Sequence, residues 1–295
     1  FGFMLPVLAG FIAMAIGDRP ALALGFVGGM MAHSGTSGFL GALVAGFAAG
    51  YIILGLRKVC EKLPEALEKI APVLIYPVVG ILIMGLLMLF VVEPIMGGIN
   101  TALNNGLTSM GSSSKIVLGL ILGGMMAIDM GGPINKAAYV FGSGMLATAS
   151  QMMAQGVQAS DPAVQACYMA MASIMVGGMV PPVGIAAACK LFPRKFTKAE
   201  QGSAVSNIVM GCSFITEGAI PFAASDPLHV IPCTMAGAGV AGLLSALFGC
   251  TLMAPHGGVF VFATVGQSLL YIVAWLVGSA VTAVMLGFIK KDAKA

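Results

Sequence analysis

Charge is what this sequence has least of. Asp, Glu, Lys and Arg make up 8% of its 295 residues, where soluble domains carry about 25%, so the chain has too little charge to cover a water-facing surface. Tryptophan occurs once and histidine three times, which excludes a histidine-rich metal cluster. The six cysteines (Cys60, Cys167, Cys189, Cys212, Cys233, Cys250) contain no CxxC pair, which argues against a disulfide framework or zinc site and assigns them to packing. There is no Walker A loop, kinase signature or dinucleotide fingerprint, so the chain holds no nucleotide of its own, and no cofactor or metal is expected. A signal peptide is also missing. Phe1 opens inside an apolar stretch without a basic region, which predicts a segment before it.

What fills the chain instead is apolar: 59% of residues are hydrophobic and the mean hydropathy is +1.01. The runs 71–92, 163–189, 231–253 and 259–289 approach or exceed the ~20 residues that span a bilayer. Forty-one glycines suit close helix packing and breaks that line a cavity. These features predict an all-α polytopic membrane protein. The net charge of +3 does not point to nucleic acid, because the basic residues cluster beside apolar runs without interleaved aromatics. The repeated GGMMA at 28–32 and 123–127 reads as small-residue packing rather than an internal repeat.

Those basic clusters set the topology, since short cytoplasmic loops are rich in Lys and Arg. Arg57, Lys58, Lys62 and Lys69 form one, Lys190, Arg194, Lys195 and Lys198 a second, and Lys290, Lys291 and Lys294 a third; all are expected inside. The stretches 93–114, with Asn100, Asn104 and Asn105, and 154–162, with Gln155, Gln158 and Asp161, are expected outside. Parity then requires 115–155 to cross an even number of times. Its halves, 116–130 and 137–153, each reach only about 24 Å as helix, so they are expected as short spans or a re-entrant hairpin broken at Gly131, Gly132 and Pro133. The interrupted stretch 203–225 is left as a second re-entrant element. Residues 57–71 place Val59, Leu63, Leu67 and Ile70 at helical spacing opposite charges, as an interfacial amphipathic helix or a solvated loop helix would.

A charge near the bilayer centre costs about 2.5–3.5 kcal/mol, so an ionisable residue inside a span marks a functional candidate. In AIDMGGPINKAAY, Asp129 and Lys136 flank the helix break and Asn135 offers donors and an acceptor. The group either binds substrate at a broken helix or forms a buried pair that stabilises the break. In CSFITEGAIPFAASDPLHVIP, Glu217 can accept hydrogen bonds from sugar hydroxyls or pin the local turn, while Asp226 and His229 are expected to cap or orient the element's end. In LMAPHGGVF, His256 sits in a turn whose two glycines permit close backbone approach. Asp18 and Arg19 are expected in a turn, and His33, Ser34, Thr36 and Ser37 in a polar loop.

The segments DMGGPINKAAY, ITEGAIPFAASDPLHVIP and LFGCTLMAPHGG resemble hallmark segments of the membrane (IIC) subunits of fructose-family phosphotransferase system permeases. GDRPALALGFVGGM and MVPPVGIAAACKLFPRKFTKAE are similar to the same family, so the resemblance extends over nearly the whole chain. It implies a multi-pass protein of the cell (inner) membrane that takes up fructose or a fructose-like sugar. A phosphocysteine on a IIB partner domain would phosphorylate the sugar, and that cysteine is not among the six here. The resemblance further implies a homodimer moving in an elevator-like way, with Glu217 as the catalytic carboxylate and Asp129, Asn135, Lys136, Glu217 and His256 around the sugar. His33 and Ser37 depart from the family pattern, in a loop that is otherwise less polar. The expected organisation is a supporting and dimerising region, 1–110, followed by a sugar-binding region, 111–295. An ion-coupled sugar transporter that uses Asp129 and Glu217 as proton or sodium carriers is the alternative, and a passive channel a third.

Overall fold

An apolar chain in lipid must satisfy its backbone hydrogen bonds within each segment, and helices do this without a partner. The computed structural model describes residues 3–64, 70–109 and 112–293, excluding the side chains of residues 103, 104, 106–109, 112 and 113. Leu67, Lys69 and Lys294 therefore lie outside the described residues, and Asn104 is described by its backbone alone. The described chain is all-α apart from one short ladder. Its helices are α1 (Met4–Gly17), α2 (Arg19–Ser34), α3 (Gly38–Cys60), α4 (Tyr76–Leu87), α5 (Glu93–Ser109), α6 (Ser112–Met125) and α7 (Pro133–Ala154). They continue with α8 (Pro162–Leu191), α9 (Lys198–Gly202), α10 (Ala204–Cys212), α11 (Ile220–Ser225), α12 (Pro227–Leu247) and α13 (Ser268–Ile289). Among the described residues, five helices are long and apolar enough to cross a membrane: Gly38–Cys60, Ala71–Ala102, Pro162–Leu191, Pro227–Leu247 and Ser268–Ile289. This is a multi-pass membrane protein.

Two compact units emerge, residues 1–109 with 147–158, and residues 110–146 with 159–295. In the first, α1, α2 and α3 pack through small residues. A Cβ on Gly25 would meet the Ala9 carbonyl oxygen at 2.5 Å, and one on Gly29 the Leu5 carbonyl oxygen at 2.6 Å, so the first GGMMA lies in a helix contact that admits no side chain. The second unit is built on α8. Its residues from Ala166 to Pro182 are all buried, as expected of a helix that is apolar all round. The second GGMMA packs in the same way as the first, with Gly123 against the Ala238 carbonyl of α12.

The structure revises several boundaries. The run 71–92 does not end at Glu93: helix continues to Ser109 through π-turns at Ala71–Ile75 and Met88–Val92. Glu93 is held where it stands. Its carboxylate accepts hydrogen bonds from the Thr36 and Ser37 amides at 2.9 and 3.2 Å and from the Ser37 hydroxyl at 2.6 Å. The polar loop after α2 is thus shaped by an acid 56 or 57 residues away in sequence. The run 231–253 is replaced by α12, which starts at Pro227 and stops at Leu247. The run 259–289 opens with a 3-10 helix at Val259–Thr264 and becomes α-helical only at Ser268, because Gly258 and Gln267 adopt positive φ and an antiparallel ladder pairs Thr251 with Gly266 and Leu252 with Val265. An interfacial helix over 57–71 is not formed by its first half: Arg57–Cys60 is the last turn of α3, and residues 65–69 lie outside the described residues. Asp18 makes the expected turn, with φ of 63° and its carboxylate accepting from the Arg19 amide at 2.9 Å.

Candidate functional site

Three segments far apart in sequence meet in the second unit, and each is held by its own local chemistry. The first is the break between α6 and α7. Met130 and Gly131 take φ of 45° and 112°, which reverses the chain before Pro133 restarts the helix at a position where no amide is needed. The amides opening a helix lack partners. Asp129 supplies them, accepting from Ile134 N at 2.6 Å and Asn135 N at 2.9 Å. Lys136 donates to the Gly131 carbonyl. The alternative reading, an Asp129–Lys136 pair, is therefore not formed, because each charge is used on the backbone of the break. Asn135 is buried, with its amide donating to the Met126 carbonyl at 2.7 Å. Asn135→Ala is expected to leave that carbonyl unpaired and to lower stability by about 1–3 kcal/mol, measured by thermal unfolding of the purified protein. Unchanged melting would show the bond to be dispensable.

The second segment is the turn Thr216–Ala219 between α10 and α11. Thr216 donates from a buried hydroxyl to the Gly178 carbonyl of α8 at 2.7 Å, which fixes the turn to the core helix. Glu217, next in sequence, is exposed and packs against the break: a Cβ on Gly131 would lie 2.8 Å from its Oε1 and 3.0 Å from its Cγ. Among the described residues its carboxylate accepts no hydrogen bond. It lines a cavity of about 290 Å³ with Ser203, Ser206, Asn207, Met210, Ile215, Gly218, Pro221 and Phe222.

The third segment is the loop enclosed by the Thr251–Gly266 ladder. Tyr139, on the helix that begins at the break, donates to the Pro255 carbonyl at 2.5 Å. Phe214, at φ of 61°, carries the His256 ring at 5.8 Å between centroids, and a Cβ on Gly257 would meet the same phenyl at 2.5 Å. His256 is exposed, with Nδ1 at 2.5 Å from the Gly257 carbonyl.

Of the five residues expected around a sugar, Glu217 meets the break directly, while His256 packs on Phe214, three residues before Glu217 in sequence. They do not line one cavity. Asp129 faces a separate, mostly apolar space of about 240 Å³ beside Ile128, Met130, Ile220 and Ile231, Asn135 is buried, and His256 borders neither cavity. Tyr139, Phe214 and the polar face of α10 were not among the expected residues. Only the spacing of Ser203, Ser206 and Asn207, which is that of one helix face, signals the last.

Asp226 closes α11 as expected, its amide donating to the Phe222 carbonyl at 3.2 Å, and stands at the N-cap of α12 without a side-chain cap bond. It sits 2.6 Å from His229 Nδ1 and 3.4 Å from the buried Lys290 ammonium, which also lies 5.3 Å from the Phe196 ring centre. Burial works to raise its pKa, but His229 and Lys290 together outweigh burial and hold the carboxyl below its ordinary value. In the first unit, His33 borders a polar cavity of about 250 Å³ with Ser34, Gly35, Gln151, Ala154 and Gln155.

Comparison with known proteins bears on what this arrangement does. The profile of the family described as "Phosphotransferase system, EIIC" matches residues 1–237. The chain is 48% identical over 288 residues to the fructose permease IIC component of Bacillus amyloliquefaciens, covering 98% of this chain and 89% of that protein. It is 48% identical over 288 residues to the fructose-specific EIIABC component of Bacillus subtilis, where 98% of this chain spans 43% of the relative's length. It is 44% identical over 294 residues to the fructose-specific EIIB'BC component of Escherichia coli, covering 99% of this chain and 49% of that protein. No solved structure matches the chain at a significant level. A break capped by its own acid, a carboxylate beside it that is unpaired among the described residues, and a family profile over most of the length agree, and the chain belongs to the EIIC family of the phosphotransferase system.

Proposed function

We propose that the protein is the sugar-translocating IIC subunit of a fructose-type phosphotransferase system, which presents fructose or a closely similar sugar to a IIB partner for phosphorylation. The observation that carries this reading is Glu217, a carboxylate that accepts no hydrogen bond among the described residues and lines a cavity at the broken helix. Relatives whose names join the B and C components in one protein support a IIB donor. In the chemical step a sugar hydroxyl oxygen attacks the phosphorus of the partner's phosphocysteine, the sulfur–phosphorus bond breaks, and the hydroxyl proton passes to Glu217. Asp129, Asn135 and Lys136 hold the break to which Glu217 is fitted, and His256 closes the same side through Phe214. The broken segment 115–155 enters the membrane as a pair of short spans or a re-entrant hairpin, and the interrupted stretch 203–225 as a re-entrant element. The region to about residue 110 supports and dimerises, and 111–295 carries the sugar, in keeping with both Glu217 and Asp129 lying in the second unit.

Uptake into membrane vesicles supplied with phosphorylated IIB is the test. Labelled fructose is expected inside only as its phosphate, whether or not an uncoupler is present. Unmodified fructose that accumulates and then collapses with the uncoupler would replace group translocation by ion-coupled transport through Asp129 and Glu217.

A further inference from the structure

We infer that Asn207 contacts the sugar and sets which hydroxyl pattern the site accepts, an inference that rests on the cavity beside Glu217 being the sugar site. Helix α10 is short and mostly apolar, yet Ser203, Ser206, Asn207 and Met210, at i, i+3, i+4 and i+7, all line that cavity. One helix face is therefore turned to it. Asn207 is 2% exposed and, among the described residues, its amide nitrogen has no hydrogen-bond partner. Buried polar groups are nearly always paired, and an orphan costs stability that burial of the aliphatic part does not return. A partner that arrives only with ligand accounts for keeping one here.

The donors on the cavity wall identify what that partner is. Ser203 already donates its hydroxyl to the Ala199 carbonyl at 3.2 Å and Ser206 to the Ser203 carbonyl at 2.8 Å, so both face a ligand as acceptors. Ionised Glu217 is an acceptor only. Asn207 is thus the single side-chain donor on the wall not already spent. A hydroxyl that gives its proton to Glu217 or a serine can also accept a bond, and the amide supplies it. The cavity, about 290 Å³, is at the small end of ligand sites and suits a monosaccharide. The Asn207 carbonyl oxygen already lies 3.0 Å from the place a Cβ would take on Gly218, next in sequence to Glu217. Rotation about χ2, which is broad and two-fold for asparagine, exchanges oxygen for nitrogen at that point. The acceptor hydroxyl and the hydroxyl held by Asn207 are then neighbours on one sugar.

The experiment measures equilibrium binding of D-fructose and its monodeoxy derivatives to the full-length purified protein, its Asn207→Ala and Asn207→Ser variants, and Glu217→Gln. Asn207→Ala is expected to weaken fructose binding about threefold to tenfold, the range of one hydrogen bond between neutral groups. One monodeoxy sugar, lacking the hydroxyl served by Asn207, should bind wild type and Asn207→Ala alike, and Asn207→Ser should fall between. Sugar-free melting of Asn207→Ala should equal or exceed wild type, since an unpaired buried amide is removed, and the loss in phosphorylation should appear in KM rather than kcat. The inference is overturned if every sugar weakens by the same factor, or if Asn207→Ala melts earlier or fails to fold, because the amide then serves the fold. A normal turnover in Glu217→Gln with the deoxy pattern shifted would remove the catalytic reading of Glu217 and leave Asn207 in the site. The expected Glu217→Gln defect with an unshifted pattern would remove Asn207 alone.

Discussion

Glu217→Gln is expected to bind sugar within about tenfold of wild type, an allowance of ~1.4 kcal/mol, yet to phosphorylate it at least ~100-fold more slowly. A sugar alcohol is a weak nucleophile. Phosphoryl transfer passes through a loose transition state in which holding the acceptor in line matters more than removing its proton early. A carboxylate beside the accepting hydroxyl does both, orienting the oxygen through its proton and taking that proton as the bond to phosphorus forms. The amide of glutamine keeps the size and one hydrogen bond, so binding survives, but it cannot accept the proton. General-base participation is worth roughly 10²- to 10⁴-fold, or about 3–5 kcal/mol of barrier. A merely structural Glu217 would have to hold the turn, and the turn is held by Thr216 on Gly178 and by the Ile215 amide on the Met210 carbonyl at 2.8 Å. Melting of Glu217→Gln should therefore match wild type. Near-normal turnover would end the catalytic role, and loss of melting, binding and turnover together would make Glu217 a structural residue.

The break at residues 129–133 was legible in the sequence because its ingredients are local: Gly-Gly-Pro cannot continue a helix. What each charge does there was not. Spacing shows that Asp129 and Lys136 are near one another, but whether they pair or divide the backbone between them depends on the φ values of Met130 and Gly131. Glu217 stood out for a different reason, as an acid in an apolar run. Its contact with Gly131 lies beyond local pattern, as does the hold of Tyr139 on Pro255, 116 residues away. The span ending at Glu93 was misplaced because an acid reads as the edge of a membrane helix, and only the loop at Thr36 and Ser37 supplies the donors that let the helix continue. The ladder that delays α13 to Ser268 is two residues long on each side, too short for any alternation to register. The polar face of α10 was overlooked because two serines and an asparagine in a broken apolar stretch resemble a loop until the helix is seen.

Gly131→Ala should cost turnover about as much as losing the carboxylate itself, roughly 100-fold, although Gly131 touches no sugar. Two effects combine at this position. At φ of 112° an L-residue is strained, by about 1–3 kcal/mol. The added methyl would also stand 2.8 Å from Glu217 Oε1 and 3.1 Å from Cδ, inside van der Waals contact. The backbone has little freedom to retreat, since Lys136 holds the Gly131 carbonyl and the Gly132 amide is bonded to the Asp129 carbonyl at 3.1 Å. Glu217 is the group with room to move, as it accepts no hydrogen bond among the described residues. A displacement of about 1 Å from a reacting geometry is enough for a 10²-fold loss. Strain and displacement separate through Gly156→Ala, where φ is 90° and nothing lies within 4 Å of an added Cβ: this variant should lose stability while keeping turnover. The decisive comparison is the double variant. If Gly131 acts through Glu217, adding Gly131→Ala to Glu217→Gln should slow phosphorylation little further, because groups that work as a unit do not lose their contributions twice. Multiplying losses in the double variant would show instead that Gly131 serves the break alone, and would detach the helix break from the chemistry.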